Sequence, residues 1–160
     1  MCFLDLTGYT RLTEERGDRA AALATSLADL VEQVSLPHGG QPVKWLGDGV
    51  MFHFRRPAQA VVAALEMVER TPRAGLPPAH VGLHAGPVVF QDGDYFGRTV
   101  NLAARIAAHA GPGQVLVSDQ VVAECPDGEV AFEPIGPVPL KGVADPVPLH
   151  RATRAGAGAG

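Results

Sequence analysis

Two short apolar segments in the first half of the chain, residues 42–46 and 50–54, are separated only by Gly47-Asp48-Gly49. Glycine adopts the positive φ angles that short hairpin loops require, so this pattern predicts two antiparallel strands joined by a tight turn. The hairpin constrains the fold strongly, because the segments before and after it decide which topology the sheet has.

Apolar and helical segments flank the hairpin on both sides. Residues 1–6 (MCFLDL) form a short apolar run typical of a buried strand, and leucine and valine recur at helical spacing over residues 18–35. Pro57 suits the first position of a second helix, which we expect to end at Thr71-Pro72. Residues 80–90 read as a strand pair or as one long kinked strand. The order strand, helix, strand, strand, helix, strand predicts an α+β fold with a ferredoxin-like, palm-like βαββαβ core.

The rest of the chain predicts an α/β extension on the C-terminal side of this core. Residues 93–97 read as a turn and residues 100–110 as a helix of strong helix formers. Shorter elements follow, namely a strand over 114–117, a helix capped by Ser118, and strands near 130–140 and 146–150. The glycine- and alanine-rich end of the sequence predicts one domain over residues 1–152 and a flexible tail over 153–160.

Composition argues against several classes of function. The 160 residues carry a formal net charge of -4, whereas domains that bind nucleic acid normally show a basic excess. No apolar run approaches the roughly 20 residues that span a bilayer, and Asp5 interrupts the start of the chain, so we expect a cytoplasmic protein without a membrane segment. Cys2 and Cys125 match neither a disulfide framework nor a metal motif, and we expect two reduced thiols.

The predicted topology brings two carboxylates together. In a βαββαβ core the third strand lies antiparallel between the first two, so the end of the first strand, at Asp5, lies beside the turn that contains Asp48. Two carboxylates a few Å apart repel by roughly 3 kcal/mol at an effective dielectric constant of about 20, and a site that keeps both ionised usually contains a cation. We therefore expect Mg²⁺ or Mn²⁺, which take oxygen ligands and bind substrate phosphates. Alternatively, Asp48 only occupies a hairpin turn and Asp5 only ends a strand.

A glycine turn, Gly8-Tyr9-Thr10, follows the first strand. A turn of this kind that leads into a helix presents backbone N–H groups and the positive end of the helix dipole to phosphate. Together with a divalent cation, this favours a nucleotide as the ligand.

Five motifs occur in order along nearly the whole chain, and they read FLDLTGYT, KWLGDGVMF, VGLHAG, DYFGRTVNLAAR and LKGV. In this order and at these spacings they resemble the successive signatures of class III nucleotidyl cyclase catalytic domains. Any one of them is a poor identifier, but five in order are not expected by coincidence. The resemblance implies the class III cyclase fold.

The resemblance also implies roles for the matched residues. Asp5 and Asp48 match the two aspartates that bind metal in this family, and the Leu6 carbonyl also faces a metal there, which implies two Mg²⁺ or Mn²⁺ ions per active site. Lys44 and Asp94 match the pair that reads the purine in adenylate cyclases, where the lysine donates to ring N1 and the aspartate accepts from the exocyclic amine. Guanine would need the opposite polarity, so this pair favours ATP over GTP.

Three further residues match positions that act on the ribose and phosphates. Asn101 and Arg105 are four residues apart on the predicted helix and therefore share one face. The resemblance implies that Asn101 positions the ribose and that Arg105 stabilises charge on the α-phosphate. Lys141, in LKGV, matches a lysine that contacts the terminal phosphates. His84 lies in an apolar strand motif and is expected to be structural, so none of the six histidines is assigned to the site.

The implied reaction is attack of the ribose 3′-oxygen of ATP on the α-phosphorus, which gives 3′,5′-cyclic AMP and pyrophosphate by a two-metal mechanism. One metal, Lys141 and the amides of residues 8–10 would neutralise the leaving pyrophosphate. In this family the active sites form between two domains, one of which supplies the aspartates and the other the purine-reading, asparagine and arginine groups. The resemblance therefore implies a homodimer with two equivalent sites.

Three alternatives compete with this interpretation. A guanylate cyclase is opposed by Lys44 and Asp94, and a catalytically silent nucleotide-binding regulatory module is opposed by the presence of every expected catalytic position. A diguanylate cyclase shares the palm-like sheet, but its Gly-Gly-acid-acid-Phe hairpin is absent at residues 46–50. The chain also departs from the family in one respect: members usually have a longer first strand before Phe3-Leu4-Asp5, so we expect a truncated first strand.

Overall fold

A computed structural model describes residues 1–46 and 49–156. The strands in these ranges are β1 (Cys2–Leu6), β2 (Gly40–Trp45), β3 (Gly49–Phe54), β4 (Ala79–Leu83), β5 (Val89–Gln91), β6 (Asp94–Phe96), β7 (Val115–Ser118), β8 (Val130–Val138) and β9 (Val147–Arg154). The α-helices are α1 (Tyr9–Arg16), α2 (Arg19–Ser35), α3 (Pro57–Arg73), α4 (Arg98–His109) and α5 (Asp119–Ala123). Within the described ranges, no helix has both the length and the apolar character needed to cross a bilayer.

Seven of these strands form one mixed sheet in the order β2-β3-β1-β4-β7-β9-β8. β3 lies antiparallel between β1 and β2, and β1 pairs antiparallel with β4. The predicted α+β class and the ferredoxin-like βαββαβ core are therefore confirmed. β7 pairs parallel with β4, and β9 and β8 continue the sheet beyond it, as expected of the C-terminal α/β extension.

The second long helix runs further than the sequence predicted. α3 continues through Pro72 and ends at Arg73. Proline removes the N–H that would bond to the Val68 carbonyl, but the Thr71 hydroxyl donates to that carbonyl at 3.3 Å. The expectation that Thr71-Pro72 ends the helix was wrong by one residue. The helix continues because the Thr71 side chain donates to the carbonyl that proline leaves without a donor.

The region that was predicted as a turn at residues 93–97 contains a strand. β6 pairs with β5 in a separate two-stranded sheet, so residues 89–96 form a hairpin that stands apart from the main sheet. Residues 80–90 accordingly hold parts of two strands that lie in different sheets.

At the C-terminal side, β9 reaches Arg154, past the expected boundary at residue 152, and Arg154 donates to Glu69 Oε2 at 3.0 Å.

Alternating side chains of β1 and β3 pack against different helices. Leu4 and Phe52 belong to the core that contains the apolar residues of α2 and α3. Phe3 and Met51 point the other way and pack with Ala103 of α4. The side chains that leave the sheet on the Phe3 face therefore lie on the same side as α4, the helix on which two of the predicted catalytic residues lie.

The backbone of α4 lies directly on β4 at Gly82. A Cβ built on Gly82 would overlap the Ala107 amide nitrogen and would lie 2.6 Å from the Ala107 Cα. Contacts this close with backbone atoms cannot be relieved by rotating a side chain. The absence of a side chain at position 82 therefore sets the distance between α4 and the sheet.

We predict that Gly82→Ala lowers the free energy of unfolding by about 2 kcal/mol or more, because the added methyl group forces α4 away from β4. Urea denaturation followed by circular dichroism measures this. Gly111→Ala is the matched control, since its Cβ would meet only the side chain of Gln114, with Oε1 at 3.2 Å and Cδ at 3.5 Å, and no backbone atom. Equal stability of the two variants would contradict the close packing of α4 on β4.

Candidate active site

The end of β1 and the beginning of β3 create a space for one carboxylate. Asp5 and Gly49 are directly opposite each other in the β1–β3 ladder. A Cβ built on Gly49 would overlap the Asp5 Oδ1 atom and would lie 2.7 Å from the Leu4 carbonyl oxygen. Glycine at position 49 therefore leaves the space that the half-buried Asp5 side chain occupies.

Two of the three predicted metal ligands, Asp5 and Leu6, are among the described residues. Asp5 is half-buried at the end of β1, and Leu6 is buried and pairs with Ala79 of β4. Asp48 lies outside the described residues, but it is bonded to Gly49, the residue opposite Asp5. Oxygen donors from carboxylates and a backbone carbonyl suit a hard divalent cation, so the donor set fits Mg²⁺ or Mn²⁺. Among the described residues, no cluster of three or more His, Cys, Asp or Glu side chains forms a metal site.

Lys44 and Asp94, 50 residues apart in sequence, are brought into contact. Lys44 Nζ donates to Asp94 Oδ2 at 3.3 Å, and the other carboxylate oxygen, Oδ1, accepts from the Tyr95 amide at 2.8 Å. About half of the Lys44 side chain and a quarter of the Asp94 side chain are exposed. The two groups predicted to read a purine thus form one donor–acceptor pair that solvent reaches.

A β-bulge in β2 brings Lys44 into this position. The register between β2 and β3 shifts between Pro42 and Lys44, so that Lys44 pairs with Met51. Met51 packs with α4, and Val43, the extra residue, packs against the same cluster. A bulge re-aims the side chain that follows it. Strict alternation along β2 would instead place the Lys44 side chain on the opposite face of the sheet. The sequence pattern did not reveal the bulge.

The first residues of α4 line the wall of a cleft of about 860 Å³. Asn101, Arg105 and Lys141 all line it, which brings together the three predicted catalytic residues. Arg105 Nη2 lies 4.0 Å from the position that a Cβ on Gly142 would take, next to Lys141. Asn101, Arg105 and Lys141 are exposed, so their polar groups are available to a ligand.

Arg98 lines the same cleft and was not identified from the sequence. It is the first residue of α4 and precedes Asn101 by three positions and Arg105 by seven, the spacing of one helix face. That spacing is the signal that could have found it. With Arg98, Arg105 and Lys141, the cleft has three cationic side chains, and Asp145 is the carboxylate among its lining residues.

A smaller groove of about 380 Å³ joins this cleft. Lys44 and Asp94 line the groove, and Gly97, Asn101 and Ala104 line both spaces. Lys44 and Asp94, which are predicted to read the purine, are therefore continuous along one surface with the predicted catalytic residues of α4. Of the predicted metal ligands that the structure describes, neither Asp5 nor Leu6 lines the cleft or the groove.

The predicted phosphate turn follows β1. Gly8 has a φ of 73°, a value that favours glycine, and Tyr9 begins α1. The Tyr9 hydroxyl donates to the Ala20 carbonyl at 3.4 Å, so this side chain contacts α2, while the Thr10 side chain lies outside what the structure describes. Thr7 Oγ1 is buried and has no hydrogen-bond partner among the described residues.

His84 is buried on β4's C-terminal side and lines neither the cleft nor the groove in the described part of the chain. Its Nδ1 atom and the Ser118 hydroxyl share a hydrogen bond of 2.7 Å. The sequence predicted that Ser118 caps α5. Ser118 does precede this helix, but its side chain makes no capping hydrogen bond and bonds to His84 instead. Burial, together with the positive charges of the N-terminal ammonium and Arg98, lowers the pKa of His84 to about 4. This burial and this hydrogen bond agree with the structural role expected from the sequence.

Comparison with known proteins relates this arrangement to one family. Residues 1–151 match the sequence model of the adenylate and guanylate cyclase catalytic domain. The chain is 38% identical over 158 residues to an uncharacterized protein of Mycobacterium tuberculosis, and this alignment covers 96% of the chain and 41% of that relative. It is 34% identical over 171 residues to a pH-sensitive adenylate cyclase of that species, and this alignment covers 99% of the chain and 42% of the relative. The chain thus spans about two fifths of the length of the curated relatives it matches.

Solved structures give the same fold. An adenylate cyclase from Trypanosoma brucei, solved in its monomeric state, superposes with a TM-score of 0.86 at 22% identity. The match covers 98% of this chain and 88% of that one. This likeness confirms the class III cyclase fold.

We predict that the stability of the protein falls as the pH decreases from about 6.5 to about 4, the interval in which His84 is protonated only in the unfolded chain. Because the folded-state pKa is lowered, the contribution of His84 is fully present above pH 6.5 and is lost below it. Urea denaturation at several pH values measures the decline, which we expect to be shallower in His84→Gln. Protonation of His84 between pH 6 and 7, seen in its NMR titration, would contradict this prediction.

Proposed function

Since the chain belongs to the family of adenylate and guanylate cyclase catalytic domains, we propose that it converts ATP into 3′,5′-cyclic AMP and pyrophosphate. The observation that carries the proposal is the Lys44–Asp94 pair, whose polar atoms lie 3.3 Å apart in a groove continuous with a cationic cleft. A purine bound at the pair would have its ribose and phosphates beside Asn101, which lines both spaces. A 34% identical relative that is named an adenylate cyclase supports the same substrate.

The polarity of the pair favours adenine. Lys44 donates hydrogen bonds and Asp94 accepts them, whereas adenine offers an acceptor at N1 and donors at its exocyclic amine. Guanine presents a donor at N1 and an acceptor at O6, so both contacts would be mismatched. A site that hydrogen-bonds its substrate rejects a mismatched one because its own polar groups are then left without partners.

The side chains of the cleft suit the remainder of the nucleotide. Asn101 would position the ribose, and the planar guanidinium of Arg105 would hold the α-phosphate oxygens, on which charge builds in the transition state. Lys141 would contact the terminal phosphates, and Arg98, in the same cleft, adds a further cation for the polyphosphate. These residues act by orienting the ribose 3′-oxygen toward the α-phosphorus and by stabilising charge.

Asp5 and Asp48, with the Leu6 carbonyl, would hold two divalent cations, Mg²⁺ or Mn²⁺. When bound, such cations lower the pKa of the ribose 3′-hydroxyl and stabilise the leaving pyrophosphate. The turn at Gly8 and the buried Thr7 hydroxyl, which has no partner among the described residues, would supply hydrogen bonds to phosphate at the end of β1. Tyr9 and Thr10 begin the helix whose N-terminal amides would face the same phosphates.

A homodimer would complete each site. Asp5 and Leu6 line neither space in which the purine-reading and catalytic residues lie, which supports a site shared between two chains. Large apolar side chains are exposed near the Lys44–Asp94 pair, where a second copy would cover them, namely Trp45 at 47%, Leu46 at 41% and Phe96 at 51%. A head-to-tail arrangement would form two equivalent sites, each with the aspartates of one chain and the α4 residues of the other.

We expect the purified chain to form cyclic AMP from ATP, and little cyclic GMP from GTP, in the presence of Mn²⁺ or Mg²⁺. Asp48→Ala should lower kcat by about 100-fold or more, because it removes a metal carboxylate. Lys44→Glu should reverse the polarity at purine N1 and shift the preference toward GTP. Chromatographic quantification of the cyclic products measures all three.

The control for these variants is Asp127→Ala, which removes an exposed carboxylate outside both spaces. Full activity in Asp48→Ala would refute the metal assignment. Nucleotide binding without any product, over a wide range of protein concentrations, would favour the catalytically silent regulatory module. Preferential formation of cyclic GMP by the unaltered chain would make the protein a guanylate cyclase.

We further expect two inactive variants to restore activity when mixed. Asp48→Ala impairs the metal half of a shared site and Arg105→Ala impairs the other half, so a mixed dimer has one intact site and one doubly impaired site. If equal amounts of the two variants exchange subunits at random, half of the dimers are mixed. Since each mixed dimer has one intact site of two, about a quarter of the parent activity returns. Continued inactivity of the mixture, with subunit exchange confirmed by mass spectrometry of differently labelled chains, would show that each site lies within one chain.

A further inference from the structure

The hairpin formed by β5 and β6 has little sheet structure of its own to hold it in place. Each strand has three residues, and the two strands pair only with each other. Such a small sheet is at best marginally stable alone. Its outer side chains are exposed, with Val89 at 58%, Phe90 at 62% and Phe96 at 51%. The orientation of the hairpin, and of Asp94 at the start of β6, must therefore come from contacts with the rest of the domain.

The ring of Tyr95 makes such a contact. It stacks on the ring of His53 in β3, with ring centroids 4.7 Å apart and an angle of only 4° between the planes. Its other neighbour is Phe90, opposite it in the hairpin, with centroids 4.9 Å apart. Tyr95 also packs against the cluster of Phe3, Met51 and α4 residues. This single ring thus joins the hairpin to both the sheet and α4.

Tyr95 is also connected directly to the purine-reading carboxylate. It follows Asp94 in sequence, and its amide donates to Asp94 Oδ1 at 2.8 Å. The second oxygen, Oδ2, accepts from Lys44. If the hairpin shifted at Tyr95, the backbone amide would move with it and would change the direction in which Asp94 presents its oxygens.

We propose that His53 is a positioning residue for nucleotide recognition: by stacking on Tyr95 it fixes the hairpin so that Asp94 faces Lys44 and the purine. The inference rests on the proposed function, because it takes Asp94 as the group that binds the adenine amine. His53 lines neither the cleft nor the groove among the described residues, and it acts through the ring of Tyr95. Burial, together with the nearby N-terminal ammonium and Arg55, lowers the pKa of His53, which is consistent with a neutral ring that stacks as a flat apolar surface.

The test compares His53→Ala, which removes the ring, with His53→Phe, which keeps a flat ring. We expect His53→Ala to raise the KM for ATP about threefold to tenfold, the range that a ring pair of this geometry supports, with kcat changed less than about twofold. The preference for ATP over GTP should fall in parallel. His53→Phe should restore both values, and His109→Ala, which removes an exposed ring at the end of α4, should match the parent.

A second measurement does not depend on turnover. In hydrogen–deuterium exchange of the nucleotide-free protein, residues 89–96 should exchange about threefold to tenfold faster in His53→Ala than in the parent. Exchange in β1 should not change, and His53→Phe should again restore the parent rate. An equal acceleration in β1 would show that the substitution destabilises the whole domain, and it would overturn the positioning role.

The two measurements separate this inference from the proposed function. If the parent forms no cyclic nucleotide, the proposed function has failed, and the exchange rates alone decide whether His53 orders the hairpin. If the parent is active and His53→Ala keeps the KM and the nucleotide preference of the parent, the inference has failed and the proposed function stands. A KM in His53→Phe as high as that in His53→Ala would also refute the stacking role.

Discussion

The antiparallel ladder that β3 forms with β1 on one side and β2 on the other determines the positions of Asp5, Lys44 and His53. It sets Gly49 against Asp5, and through the bulge at Val43 it sets Lys44 against Met51. The same strand carries His53, which faces the Tyr95 ring. Since strand register is specified wherever one face is buried, the core on the Leu4 face also fixes the geometry of the opposite, functional face.

Lys44 and Asp94, the two groups proposed to read the purine, contact each other. Lys44 and Asp94 are both partly exposed, so their contact at 3.3 Å is weak and water can replace it. A ligand that offers an acceptor to one and a donor to the other exchanges that contact for two. A ligand of the wrong polarity would break the contact without replacing it, so the proposed pair would discriminate against mismatched bases.

The sequence predicted the core topology and the approach of Asp5 to the central hairpin, because long apolar periodicities and a glycine turn report directly on strands, helices and their order. It could not predict the bulge at Val43, since one extra residue in a strand leaves the local pattern almost unchanged. β6 was not predicted because a strand of three residues is too short to show an apolar alternation. Arg98 was overlooked because an exposed arginine at a helix start is ordinary until the fold brings Lys141 beside it.

Gly49 shows that a site made of charged side chains also depends on a position with no side chain at all. An alanine at position 49 would occupy the space of the Asp5 carboxylate, although every charged residue of the motif would still be present in the sequence. Inspection of the acidic and basic positions alone would then classify such a protein as an intact enzyme. In sorting active cyclase domains from silent ones by sequence, the small residue beside the aspartate is therefore as informative as the aspartate.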